Sequence, residues 1–451
     1  MRAWALGTPL DLAVMRITVG ALFLYVQDLH GAARAAARLP DALRTLPSGV
    51  ATILGVLGPT PLRADIAYAI VMVAAITGTL GLFSRASFAV VSIVSLWLWA
   101  LPQTSGAVFH YHHLLWLAAL LSVSPCGDAL SIDAWRSRRA GKAPPPERDL
   151  RYGAPVRVAW MLLACVYFFP GVWKLRTSGV AWFWSDNLRD QMWAKWIESP
   201  SYVPLARIDR YPTIVRIGAL LVLALELTFP VLVLFRRTRP IAVLGAFAFH
   251  QSTALFMALY FSALWLCAPI FFAWEPVRAR IAGWLGRGGT AEPGARRGVR
   301  GGVAIAAMSA LLLGGAVTTG VLGESESWPF ACYPKFDALA PQTLPFIELE
   351  LVDVRGDAHV VPRSEMFPRG LTQRTWALVW SLVGVRGHDV SHERLAAFWD
   401  VTRQRPSIRA RAANAVEVRF YRLRLSTNPD TRDAPPVSRT LIYTMPLRRG
   451  P

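Results

Sequence analysis

A lysine closes a long apolar run at Phe168-Phe169-Pro170-Gly171-Val172-Trp173-Lys174-Leu175-Arg176. The chain holds only four lysines, Lys142, Lys174, Lys195 and Lys335, among 48 basic residues. Arginine can pair and snorkel but keeps its proton in a protein, whereas a partly desolvated lysine can release one. Lys174 therefore has two readings, an anchor at a membrane boundary or a proton-transfer group. The other ionisable residues within apolar stretches are few: Arg16 in the first, His110, His112 and His113 opening the fourth, Glu226 in the sixth and His250 in the seventh. Inserting such a group costs about 2.5–3.5 kcal/mol for the charged types, which makes each a candidate for function.

His110 and His113 are three residues apart and share a helical face, while His112 faces elsewhere. No carboxylate or cysteine at ligand spacing accompanies this cluster, so no metal is expected there. The histidines are then either interfacial groups bonded to water, or one of them positions Lys174 on a neighbouring helix. Arg16 and Glu226 are candidates to neutralise each other, and Glu226 is assigned a structural intramembrane charge that fixes helix register. His250 lies in Phe249-His250-Gln251-Ser252-Thr253, a polar island among aromatics. It can hydrogen-bond a quinone-like or lipid headgroup, or bridge helices. No GxSxG, Walker loop, HExxH or GxGxxG at a strand–helix turn occurs, which removes support for hydrolase, ATPase and nicotinamide-dependent chemistry.

The elements that must hold these residues are membrane helices. Of 451 residues, 54% are hydrophobic and 17% charged, against about 25% charged in soluble domains. Nine spans are expected, at Leu10–Val26, Ala64–Phe83, Ala86–Leu101, Ala107–Ser124, Pro155–Trp173, Ile214–Phe235, Ile241–Leu259, Phe261–Trp274 and Gly302–Leu322. Almost no loop separates the seventh from the eighth, so a single long helix or a re-entrant pair is an alternative there. The formal net charge of +19 sits in short loops rather than on a soluble basic face, a pattern of membrane orientation and not of nucleic-acid binding. Arg136, Arg138, Arg139, Lys142, Arg148 and Arg151, then Arg236, Arg237 and Arg239, then Arg278 to Arg300 fall on one side of nine spans. That side is expected to be cytoplasmic, with the N-terminus inside and the C-terminal part outside. Long linkers on the other side carry Trp182, Trp184, Trp193 and Trp196 and are expected to form interfacial helices. The four cysteines show no CxxC and no paired framework, so disulfides are not expected.

From Glu324 the composition changes. Phe346–Val354 alternates as a strand, Arg355-Gly356-Asp357 makes a turn, and a second strand follows near His359–Val361. Leu371–Val385 and Glu393–Gln404 have helical periodicity, and Val416–Leu423 and Leu441–Leu447 alternate again. The fold class is thus a polytopic α-helical membrane protein with a small C-terminal extracytoplasmic α+β domain, divided as residues 1–323 and 324–451.

Five segments in order resemble the vitamin K-dependent gamma-carboxylase family, including its bacterial members with the so-called horizontally transferred transmembrane domain. They are Leu12-Ala13-Val14-Met15-Arg16, Leu80-Gly81-Leu82-Phe83-Ser84-Arg85, His112-His113-Leu114-Leu115, Gly171-Val172-Trp173-Lys174-Leu175, and Phe249-His250 followed by Ser252. The resemblance covers roughly residues 8 to 275. It implies a membrane enzyme that oxidises a reduced quinone, vitamin K or menaquinol, with oxygen to an epoxide. The base so formed carboxylates a glutamate or related acid with carbon dioxide. It places the catalytic base on Lys174, its partner on His113, and cofactor contacts on His250, Arg16 and His112. The chain departs from the animal enzymes at His112, where they carry Asn, at Trp173, where they carry a second lysine, and at Arg176, where they carry an acid. Its outer domain is also far shorter. The resemblance leaves a second reading, a non-enzymatic quinone- or lipid-binding membrane protein that assists maturation or export of a secreted peptide.

Overall fold

The computed structural model describes residues 6–447 apart from 27, 107, 109–110, 200, 285–301, 334–335, 368–374, 385–389 and 432–433. His110 lies outside the described residues. The helical part contains α1 (Pro9–Tyr25), α2 (Asp28–Ala37), α3 (Val50–Val56), α4 (Pro61–Leu80), α5 (Ser84–Leu98), α6 (His112–Val123) and α7 (Ile132–Arg139). It continues with α8 (Leu150–Ser178), α9 (Ala181–Trp184), α10 (Asn187–Glu198), α11 (Pro212–Leu234), α12 (Arg239–Met257), α13 (Ser262–Trp265), α14 (Glu275–Trp284) and α15 (Gly302–Leu322).

Local chemistry sets the helix ends. Thr8 caps α1 reciprocally with Asp11, and Pro9 occupies the first turn, satisfying amides that have no intrahelical partner. Thr60 and Pro61 open α4, which ends where Gly81 turns left-handed at φ 73°. The 29 residues of α8 span about 43 Å at 1.5 Å per residue, longer than a bilayer's apolar slab.

Among the described residues, six helices are long and apolar enough to cross a membrane: α4, α5 with its 3₁₀ extension to Thr104, α8, α11, α12 and α15. A seventh arises if α1 and the bent segment after it form one span. This is fewer than the nine expected. The fourth expected segment shortens to α6, with 12 residues. The eighth breaks into α13 and a 3₁₀ turn at Ala268–Phe271, where Pro269 interrupts helical bonding. The ends still sort into two sets. Gly7 pairs with Asp149, Trp274 N donates to Asp11, and Asp133 takes the amides of Phe83 and Ser84 at 2.9 and 2.8 Å. At the opposite end Trp328 N donates to Ser48 and Trp196 Nε1 to Phe256. The arginine-rich segments at 136–151 and 236–239 gather at the first of these ends.

The C-terminal sheet is antiparallel in the order β2–β1–β3–β4, from β1 (Thr343–Asp353), β2 (Ala358–Val360), β3 (Ala415–Ser426) and β4 (Ser438–Pro446). Leu349 opposes Phe420 and Leu351 opposes Val418. Helices α17 (Thr375–Leu382) and α18 (His392–Thr402) share the sheet's apolar core, and short helices α16 (Arg363–Met366) and α19 (Pro406–Ala412) flank them. That core also takes Ala35, Leu39, Leu43, Ala194 and Ile197 from the helical linkers. Conversely Trp328, Ala331 and Tyr333 belong to the large helical core. The two parts are therefore interlocked, not strung on a linker.

Candidate functional site

Helix α8 carries Tyr167, Pro170, Gly171 and Lys174 along one face, at the spacing of successive turns. Helix α11 crosses it at Glu226. The close approach is possible because Gly171 has no side chain: a Cβ there would lie 2.9 Å from the Glu226 Cβ. Lys174 Nζ donates to Glu226 Oε1 at 2.5 Å, and each side chain is only 5% exposed. The Lys174 ammonium also lies 4.7 Å from the centre of the Trp182 ring, a geometry that favours a cation. Trp182 is held in turn by donating to the Phe336 carbonyl at 2.6 Å.

A cavity of about 560 Å³ opens beside this pair, within the usual range for small-molecule sites. Its walls are mostly apolar, from α8, α10, α11 and α12, with Lys174, Glu226, His250, Tyr167 and Tyr333 as the polar exceptions of interest. Tyr167 Oη and His250 Nε2 are hydrogen-bonded at 2.8 Å, and the Tyr167 ring stacks on Phe229 at 4.2 Å. His113 stands behind Tyr333. Its Nε2 lies 3.2 Å from the Ala263 carbonyl, which can only accept. In the neutral ring the proton is therefore on Nε2, and Nδ1 accepts from the Tyr333 hydroxyl. Two buried polar atoms, Glu226 Oε2 and His250 Nδ1, have no hydrogen-bond partner within the protein. Buried groups of that kind call for a ligand or a water.

The structure brings Lys174, Glu226 and His250 to one cavity and puts His113 one hydrogen bond behind it. It corrects the expected partnership of Arg16 and Glu226. Arg16 is buried at the opposite end of the bundle, where its guanidinium donates to the carbonyls of Cys126, Ala129 and Leu130 at the end of α6. Those carbonyls lie in the segment that follows the helix, so a fixed cation satisfies them. Arg16 is thus no part of the cavity wall. His112 is not either: it packs edge-on against Trp116 and against the Tyr333 ring, at 4.9 and 4.5 Å. Lys174 pairs with Glu226 rather than with His113. Among the described residues no three His, Cys, Asp or Glu side chains gather as a metal site.

Sequence reasoning missed Tyr167, Trp182 and Tyr333. Tyr167 was legible in part, lying seven residues before Lys174 on the same helical face. The run Trp328-Pro329-Phe330-Ala331-Cys332-Tyr333 is apolar and aromatic just after the last helix, which is the signal that it folds back into the bundle. Trp116 and Trp328 anchor it through Pro329 O and Leu96 O, at 3.1 and 3.0 Å.

A protein-family model described as the HTTM domain matches residues 8–275, more than half of the chain. No curated protein and no solved structure matches it.

Proposed function

We propose a function from one premise: the chain belongs to the HTTM domain family, the domain found in vitamin K-dependent gamma-carboxylase and related proteins. It is a membrane protein of this carboxylase-like family. The reading we favour is a quinol-dependent enzyme whose proton-transfer group is Lys174. The observation that carries it is the Lys174–Glu226 pair, buried in the wall of an apolar cavity. The residues suit an amphipathic ring. Two unsatisfied polar atoms, on Glu226 and His250, can meet polar edges, and aromatic and aliphatic walls take its faces.

A reduced naphthoquinone held there would supply, with oxygen, the strong base that removes a proton from the carbon beside a carboxylate, where carbon dioxide then adds. The protein's part is to prepare the proton transfer. Glu226 lies within hydrogen-bond reach of Lys174 Nζ, at 2.5 Å, and so is placed to take a proton from it. With the proton on Glu226, Lys174 is a neutral amine able to accept one from a bound hydroxyl. His113 fixes the Tyr333 hydroxyl, and Tyr167 fixes His250, so both rings keep one orientation. The apolar wall keeps water from a strong base.

The arginine-rich end of the bundle supports a cytoplasmic N-terminus in the plasma membrane and an outer C-terminal domain. The acid that is carboxylated would then come from a secreted peptide or protein. The test is epoxide formation by purified protein in lipid with reduced vitamin K, oxygen, bicarbonate and glutamate peptides, read by mass spectrometry. Epoxide that falls at least about 100-fold in Lys174→Ala is the expected result for a lost acid–base group. Equal epoxide from both proteins would reject Lys174 as the base. Quinone retention without any epoxide would favour a binding protein that assists peptide maturation.

A further inference from the structure

At the arginine-rich end of the bundle, the segment that leads into α14 is pinned at three successive places. Trp160 Nε1 donates to the Ile270 carbonyl at 2.8 Å, Arg239 Nη1 to the Phe271 carbonyl at 3.1 Å, and Trp274 N to Asp11 at 2.8 Å. Arg239 also donates to the Val233 carbonyl at 2.9 Å, and its guanidinium lies 3.8 Å from the centre of the Trp160 ring. It thereby ties the corner between α11 and α12 to the root of α14. Beyond that root the support ends. Every residue of α14 from Pro276 to Ile281 is exposed. A helix of ten residues is marginal by itself in water, where isolated helices need about 12–15. α14 therefore needs a surface to lie on.

Its sequence indicates which surface. Val277, Ile281 and Trp284 fall within about 60° of one another around the helix, and they are 40%, 54% and 91% exposed. Arg278 and Arg280 flank this stripe on its two sides. An apolar stripe edged by long cations is the pattern of a helix lying in the plane of a membrane interface, with its arginines reaching to the headgroups. Arg278 is paired with Glu275 at 2.9 Å. Among the described residues no carboxylate pairs with Arg280, nor with Arg236 and Arg237, which stand exposed on the corner between α11 and α12. Asp11, at the same end, already takes the amides of Trp274 and Thr8.

We propose that this corner binds anionic phospholipid: Arg236, Arg237 and Arg280 meet headgroup phosphates, and Val277, Ile281 and Trp284 lie against the acyl chains. Unpaired arginines beside an uncovered apolar stripe match a partner that carries a phosphate and hydrocarbon in one molecule. The binding rests on the chain being a membrane protein and is independent of the quinol reading of the Lys174 site.

The test uses the full chain purified in detergent. Binding of phosphatidylglycerol and of phosphatidylcholine with the same acyl chains is measured by native mass spectrometry. Phosphatidylglycerol is expected to bind at least about tenfold more tightly, since each arginine near an anionic headgroup raises affinity about fivefold. Arg236→Gln, Arg237→Gln and Arg280→Gln together should cut that preference at least about fivefold with an unchanged melting temperature. Arg355→Gln, on an exposed turn of the C-terminal domain, should leave the preference intact. Hydrogen exchange gives a second readout: residues 277–284 should be better protected in phosphatidylglycerol nanodiscs than in phosphatidylcholine ones. Equal binding of the two lipids would overturn the proposal, as would a triple variant that keeps the preference or equal protection of 277–284 in the two nanodiscs. Protection that rises with protein concentration, alongside a mass of two chains, would place a second copy on the stripe and overturn it as well.

Discussion

Lys174 and Glu226 hold the argument at the scale of single residues. Removing one partner of a buried pair leaves the other charge stranded, typically a cost of about 3–5 kcal/mol. Lys174→Ala should therefore lower the melting temperature as well as activity, and Lys174→Met with Glu226→Leu should recover the stability while activity stays lost. Thermal unfolding in lipid, set beside epoxide yield, separates the two effects. Glu226→Gln keeps the shape and a hydrogen-bond acceptor but cannot take the proton. If Glu226 stores that proton, its epoxide yield should fall about 100-fold with near-normal quinone retention; a yield within twofold would confine Glu226 to holding Lys174 in place. The lysine was legible from its rarity and its place at the end of an apolar run. Its partner was not, because Arg16 was an equally plausible counter-charge and only the crossing of α8 and α11 chooses between them.

At the scale of elements, α8 and α11 each carry a proline one turn beyond a residue of the cavity wall. Pro170 and Pro230 have no amide hydrogen, so the carbonyls of Val166 and Glu226 lose their usual helical donor. Both carbonyls belong to residues that line the cavity. The crossing itself depends on Gly171. Gly171→Ala would press a methyl to 2.9 Å from the Glu226 Cβ, and overpacking of this kind costs about 1–3 kcal/mol. The variant should melt earlier and lose more epoxide yield than its stability loss explains, because the helices must part at the reacting pair. Normal activity with unchanged melting would show that α11 can shift without disturbing Lys174. Most helices were readable as apolar runs. The two shortened ones, α6 and the broken α13 segment, were not, since composition is apolar on both sides of the points where bonding stops.

At the scale of the whole molecule, the C-terminal domain is tied to the linker at 207–209 by polar contacts. Arg207 bonds both Asp209, at 2.9 Å, and Asp430 of the C-terminal domain, at 3.1 Å. Burial works to raise the Asp209 pKa, but hydrogen bonds from Arg207 and Trp193 outweigh it and hold the carboxyl below its ordinary value. A carboxyl depressed in the folded state adds stability that is complete above the ordinary carboxylate range, near pH 4, and is lost as pH falls through the folded value. Hydrogen-exchange protection at the linker, taken relative to the intrinsic rate at each pH, should therefore fall on acidification below about pH 4. Asp209→Asn should exchange faster at neutral pH and respond less to acid; an identical acid response would remove Asp209 from the tie. The alternation of the C-terminal strands was plain in the sequence, whereas the docking of the domain was not, because its contacts join residues far apart in the chain, from 147 positions for Gln191 and Ala338 to 352 for Arg394 and Ala42. The fold-back at 328–333 has a further consequence. Helix α15 packs so closely on α8 that a Cβ on Gly320 would overlap the Phe169 ring, and Trp173 donates to the Gly320 carbonyl at 2.8 Å. Tyr333 then completes the wall that His113 supports. Both pieces lie beyond residue 275, where the shared family segment stops. The stretch that defines kinship is therefore not a self-sufficient module: expressed alone it would present bare apolar helix faces and an unfinished chamber, and what this chain adds after it is part of the same machine.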